Sequence, residues 1–250
     1  MTMITPMIAG NWKMNGVTAC LVEVDRLAEL VAGSPQLRAD IALCPPATLL
    51  AAASARLEGT GIFTGGQNCH HEPCGPHTGD ISAPMLADAG ASFVIVGHSE
   101  RRAEHGETDE IVRAKAQAAF AAGLIPIICV GEQQAQRDAG EAEATVLGQL
   151  AGSVPDPLDE QDFVIAYEPV WAIGTGATPD SDDIEAMHGA IRRALIERYG
   201  ERGEKVRILY GGSLEPSNAP RILATRNVNG GLVGRASLLS SDFFAIISVL

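Results

Sequence analysis

Phe163-Val164-Ile165-Ala166-Tyr167 is an apolar run that stops at a charged residue, Glu168, and a proline, Pro169. A short run without polar alternation reads as a strand buried on both faces, as in a parallel sheet. Further apolar runs occupy residues 7–9, 41–44, 62–64, 93–96, 125–130, 208–210 and 232–233. Helical stretches lie between them. Leu21, Val24, Ala28 and Val31 put one apolar face on the first. Ile111, Val112, Ala118, Ala119 and Ala122 do so after the fourth run, and Ile184, Met187, Ile191, Leu195 and Ile196 after the sixth. Gly123 and Gly200 read as helix stops. A last helix is expected from about Ser241 onward.

Eight strand-then-helix units in 250 residues match a closed (β/α)8 barrel in a single domain. An open doubly wound sheet is the rival, but the Gly-x-Gly-x-x-Gly usual after its first strand is missing. No low-complexity linker divides the chain. Residues 1–6 resemble a cloning-vector fusion leader, so the barrel is expected to occupy residues 7–250.

Hydrophobic residues make up 46% of the chain and aromatics only 4%, so aliphatic side chains must fill the core. No apolar run approaches the roughly 18 residues of a membrane span. A net charge of -13 without a basic cluster argues against nucleic acid as a partner. An anionic substrate would then need a local positive field. The five cysteines include no C-x-x-C pair and read as reduced thiols of a cytoplasmic protein. The segment Cys69-His70-His71-Glu72-Pro73-Cys74, with His77 nearby, has zinc-like composition. No second cluster at zinc-finger spacing accompanies it, and the expectation is a glycine- and proline-rich loop without metal.

The chemistry follows the strands. Asn11 and Lys13 follow the first, Gly97-His98-Ser99-Glu100-Arg101-Arg102 the fourth, and Glu168-Pro169-Val170-Trp171 the sixth. Gly211-Gly212-Ser213 and Gly234-Arg235-Ala236-Ser237 follow the seventh and eighth. In a parallel barrel all strand ends share one face. A Lys, a His and a Glu would converge there, beside glycine-rich turns whose N–H groups can cradle a phosphate. Spacing alone says a small phosphorylated carbonyl compound.

From Met7 onward the chain resembles the triosephosphate isomerase family. The resemblance rests on Val96-Gly97-His98-Ser99-Glu100-Arg101-Arg102 and on Ala166-Tyr167-Glu168-Pro169-Val170-Trp171-Ala172-Ile173-Gly174-Thr175-Gly176. Asn11, Lys13 and Tyr210-Gly211-Gly212-Ser213 occur in matching order. It implies interconversion of dihydroxyacetone phosphate and D-glyceraldehyde 3-phosphate through an enediolate, in glycolysis and gluconeogenesis. Glu168 would be the base and His98 a neutral electrophile, a division of roles that is the family's own. Lys13 would supply fixed positive charge, Asn11 would position it or touch substrate, and Glu100 would stand near Lys13. No metal or organic cofactor is implied.

Phosphate donors would be Gly174, Ser213, Gly234 and Arg235. The family usually has glycine where Arg235 stands, which matters only if that turn needs positive φ. Pro169, Val170, Trp171, Ala172, Ile173, Gly174, Thr175, Gly176, Ala177, Thr178 and Pro179 would form a lid, with hinges at Pro169–Trp171 and at residues 177–179. Ala177 stands where the family often has lysine. The segment from Gly65 to Ser82 resembles the family's long dimer loop, with Thr78 near its tip and Gln67 and Asn68 at its base. A homodimer is the expectation.

Overall fold

The computed structural model describes residues 4–156, 161–173 and 179–250. Its strands are β1 (Met7–Asn11), β2 (Asp40–Cys44), β3 (Ile62–Gly66), β4 (Phe93–Val96), β5 (Ile125–Val130), β6 (Val164–Tyr167), β7 (Arg207–Tyr210) and β8 (Gly230–Val233). Helices α1 (Leu21–Ala32), α2 (Ala47–Leu57) and α3 (Ala83–Asp88) separate the first four strands. Next come α4 (Ser99–His105), α5 (Asp109–Ala121), α6 (Gln134–Asp138), α7 (Ala142–Ser153) and α8 (Ser181–Tyr199). The chain ends with α9 (Glu201–Lys205), α10 (Ala219–Leu223) and α11 (Ser240–Ile247).

Consecutive strands pair in parallel, and β8 returns to β1 in register from Met7↔Gly230 to Gly10↔Val233. Among the described residues the sheet is therefore a closed eight-stranded barrel, and the open-sheet rival falls. Side chains alternate across it. Met7, Ala9, Cys44, Ile95, Cys129 and Ala166 fill the interior, while Ile8, Leu43, Val96, Ile128 and Ile165 pack outward against the helices. The barrel is thus a filled core, and its chemistry sits at the strand ends.

Glycine lengthens β3 and β8 beyond their apolar runs. A Cβ at Gly230 (φ 129°) would fall 1.8 Å from the Met7 carbonyl oxygen, so this closing contact requires glycine. The helix faces also differ in detail from the apolar reading. On α1, Leu21, Val24 and Leu27 are buried, with Ala28 and Val31 partly so. On α8, Ile184, Met187, Ile191 and Leu195 are buried, each contributing about 1.5–3 kcal/mol. Ile111 and Ile196 instead lie exposed, and Lys115 takes a buried place on α5. Lys115 is held there by an ion pair to Glu107 and a hydrogen bond to Asn68 Oδ1 (2.8 Å). Gly123 and Gly200 adopt positive φ just beyond α5 and α8, as helix stops do. No helix among the described residues is long and apolar enough to cross a membrane.

Candidate active site

Because every strand is parallel, Asn11, His98, Glu168, Gly211 and Gly234 all emerge on one face. With Lys13, Ser213 and Arg235 they line a cavity of about 760 Å³.

The first wall is built from the end of β1. Asn11 is buried, and its Oδ1 accepts the Lys13 N–H at 3.0 Å. Lys13 is thereby held at φ 54°, a left-handed conformation that costs a non-glycine residue about 1–3 kcal/mol. Gln67 braces the same turn, donating through Nε2 to the carbonyls of Lys13 and Cys44 (2.9 Å each). The Lys13 Nζ meets Glu100 Oε1 at 2.5 Å. Burial by itself would raise the Glu100 carboxyl, but the Lys13 hydrogen bond and neighbouring positive charge outweigh it and hold Glu100 below its ordinary value.

His98 caps α4. Its Nδ1 accepts the Glu100 N–H at 3.2 Å, which leaves the proton of the neutral ring on Nε2. Nε2 lies 3.0 Å from Glu168 Oε1.

Glu168 is buried at the end of β6, with its amide bonded to the Val130 carbonyl (2.8 Å). Its Oε2 accepts the Ser99 N–H at 2.9 Å, and Oε1 accepts the Ser99 hydroxyl at 3.1 Å. Glycines flank it. A Cβ at Gly131 would fall 1.9 Å from the Glu168 carbonyl oxygen, and one at Gly211 would fall 2.8 Å from its Cγ. Cys129 lies beside it in the barrel interior; burial, then the Glu168 carboxylate, push its thiol well above the ordinary value. Burial likewise pushes Cys44 up to about 12. All five cysteines are unpaired.

The segment after Glu168 is described to Ile173. Trp171 Nε1 donates to Glu132 Oε1 at 2.8 Å, and the Tyr167 hydroxyl reaches the same oxygen at 3.1 Å. The Ala172 carbonyl accepts the Ser213 hydroxyl at 2.7 Å. The expected lid and phosphate positions Gly174, Thr175, Gly176, Ala177 and Thr178 lie outside the described residues.

At the far end, Gly234 turns into a 3-10 segment, Arg235–Ser237. Arg235 is not among the residues with positive φ, so this turn accepts a side chain without strain. The guanidinium points out to solvent, 89% exposed, and lies 3.5 Å from Glu215.

The sequence reading missed Ser99, whose two donors hold Glu168, and Glu132, the fully buried carboxylate that anchors Trp171 and Tyr167. Glu132 had a signal: it is a charged residue just beyond the apolar run of β5. Thr78 and Asn68 stand in the loop between β3 and α3, away from this cavity, whereas Gln67 joins the site through Lys13.

The closed parallel barrel and this convergent face define a single-domain (β/α)8 barrel enzyme. The family model described as triosephosphate isomerase matches residues 6–250. The chain belongs to the triosephosphate isomerase family, and it is an isomerase. Among its relatives, the triosephosphate isomerase of Afipia carboxidovorans is 59% identical over 97% of this chain and 96% of that protein. That of Bradyrhizobium diazoefficiens is 54% identical, with the same coverage of both chains. The crystal structure of triosephosphate isomerase from Bartonella henselae superposes with a TM-score of 0.91 at 47% identity, covering 98% of this chain and 99% of that one.

Proposed function

We propose that this isomerase interconverts dihydroxyacetone phosphate and D-glyceraldehyde 3-phosphate through an enediolate, serving glycolysis and gluconeogenesis, with Glu168 as the base. The observation that carries the assignment is the buried Glu168 carboxylate within 3.0 Å of a histidine whose Nε2 bears the proton. Glu168 removes a proton from the carbon next to the substrate carbonyl and returns it to the neighbouring carbon. His98 Nε2–H, which faces Glu168 Oε1, donates to the substrate oxygens as they gain charge. Lys13, fixed by Asn11, Gln67 and Glu100, stabilises the enediolate and the phosphate. Ser213, Gly234 and Arg235 offer backbone N–H groups to the phosphate, and Gly174 completes that set on the family pattern.

Pro169, Val170 and Trp171 act as the first hinge of a lid that runs to Pro179. Closure over the enediolate excludes water and strengthens every charge interaction inside. The Trp171–Glu132 and Ala172–Ser213 bonds are the contacts such a motion works against.

The working unit is a homodimer in the cytoplasm. Met14, next to Lys13, is 97% exposed, and Thr78 sits exposed on the loop between β3 and α3; a partner subunit would cover both. Five unpaired thiols suit a reducing compartment. Light scattering that finds a stable, fully active monomer at micromolar concentration would overturn the dimer.

A coupled isomerase assay on wild type and Glu168→Ala tests the mechanism. Removing the base is expected to lower turnover by about 10²–10⁴-fold, while a phosphate-bearing inhibitor still binds. Comparable turnover in the variant would refute the assignment. Solvent tritium entering the substrate would report the enediolate directly.

A further inference from the structure

The ladder between β5 and β6 runs on past the strand ends. Glu168 N–H donates to the Val130 carbonyl (2.8 Å), and Val170 N–H donates to the Glu132 carbonyl (3.1 Å). Gly131 lies between those two acceptors, so its own N–H and carbonyl face the opposite edge, which β4 covers earlier in the strand. β4 ends at Val96, opposite Ile128, so among the described residues no strand reaches Gly131 from that side. The carboxamide of Gln149, on α7, takes the missing strand's place. Its Oε1 accepts the Gly131 N–H at 2.8 Å, and its Nε2 donates to the Gly131 carbonyl at 3.0 Å. A primary amide presents one acceptor and donors side by side, which the N–H and carbonyl of a single residue require; a carboxylate lacks the donor and an ammonium the acceptor. The amide is presented from a fixed helix, since Val146 and Leu150 bury α7 on either side of it.

Gly131 is in direct contact with Glu168. A Cβ at Gly131 would fall 1.9 Å from the Glu168 carbonyl oxygen and 3.2 Å from its Cβ, so a shift of one backbone moves the root of the other side chain. Packing does not hold Gly131 in place. A cavity of about 110 Å³, lined in part by Ser99, Gly131, Gln149, Glu168 and Val170, leaves it room to move. The two bonds to Gln149 are what fix it.

We propose that Gln149 is a positioning residue for proton transfer: it holds Gly131, and through Gly131 it sets where the Glu168 carboxylate stands. This role rests on Glu168 being the base. Without the amide, Gly131 relaxes into the cavity, and Glu168 shifts against the Ser99 and His98 groups that it meets. Proton transfer depends steeply on the placement of the base. The phosphate donors Ser213 and Gly234 stand on the turns after β7 and β8, so the loss falls on turnover rather than on substrate binding.

The experiment is steady-state kinetics of wild type and Gln149→Met with D-glyceraldehyde 3-phosphate, unlabelled and deuterated at the carbon that loses its proton, with thermal midpoints alongside. Methionine keeps the length of the side chain and removes the amide. kcat should fall by about 10–100-fold, with KM changed by less than about twofold. The primary deuterium isotope effect on kcat/KM should rise above that of wild type, because proton transfer becomes slower relative to binding. Where Gln149→Met does not fold, Gln149→Glu decides: it keeps the acceptor for the Gly131 N–H and lacks only the donor, and the same pattern is expected in it. An unchanged kcat, a fall in kcat without a rise in the isotope effect, or a change confined to KM or to the thermal midpoint would overturn the proposal. Glu168→Ala in the same assay separates the two readings. If it too turns over as wild type does, the assignment of the base fails; if only the Gln149 variant does, the positioning role fails alone.

Discussion

His188 sits on α8, fully buried, with its ring edge to face against Tyr167 at 5.7 Å. Its Nδ1 lies 3.2 Å from the Asn227 carbonyl, which calls for the N–H on that nitrogen, and Nε2 has no hydrogen-bond partner among the described residues. Burial pushes its pKa from the ordinary 6.5 down to about 4. The folded protein keeps this ring neutral while the unfolded chain protonates it below 6.5. A depressed folded value means the stabilisation is complete above about pH 6.5 and is lost as pH falls toward 4. The gap sets a ceiling of about 3.4 kcal/mol at 1.36 kcal/mol per unit. At pH 5, three half-units into that window, the loss is about 2 kcal/mol. Urea unfolding of wild type and His188→Asn, at one protein concentration and at pH 7.5 and 5.0, measures it. Asparagine lowers stability at both pH values because the cavity is no longer filled. The wild type should nonetheless lose about 2 kcal/mol more than the variant between the two pH values. Parallel losses would show that the folded ring titrates normally, and the reasoning from burial would fail.

Gly211→Ala places a Cβ 2.8 Å from Glu168 Cγ and should displace the carboxylate. Turnover is expected to fall about 100-fold while inhibitor affinity, measured by fluorescence titration, changes little. Burial alone would raise the Glu107 carboxyl, but Lys115 and Arg101 outweigh it and hold Glu107 below its ordinary 4.5. Its stabilisation is present above about 4.5 and lost as pH falls through the depressed folded value, so the thermal midpoint of Glu107→Gln should vary less with pH below 4.5 than that of wild type. Arg235→Gly removes an exposed guanidinium paired only loosely with Glu215, and kcat/KM should change by less than about fivefold. A larger drop in the same steady-state assay would assign the side chain a direct hold on the phosphate.

How far the sequence could be read depended on the kind of signal. Continuous apolar runs marked β4 and β5 to the residue, because burial on both faces leaves no room for polar alternation. Gly65, Gly66, Gly230 and Gly231 gave no such signal. They belong to strands because a neighbour lies where a side chain would be, and that is a fact of packing. Lys115 was unreadable as a core residue because its partners Glu107 and Asn68 come from other segments. The convergence of Lys13, His98 and Glu168 followed from strand order alone. The bonds that hold them did not, since Ser99 to Glu168 and Gln67 to Lys13 join segments 69 and 54 residues apart.

The pairing of β8 with β1 has a consequence for synthesis. A ribosome releases the chain from its N-terminus, so Asn11 and Lys13 emerge first and Gly234 among the last. The first strand has no second neighbour until the eighth arrives. A product of translation interrupted before β8 cannot assemble the cavity, because one of its walls is still unmade. Catalysis is therefore a property that the chain acquires only when β1 and β8 have met, and measured activity counts closed barrels.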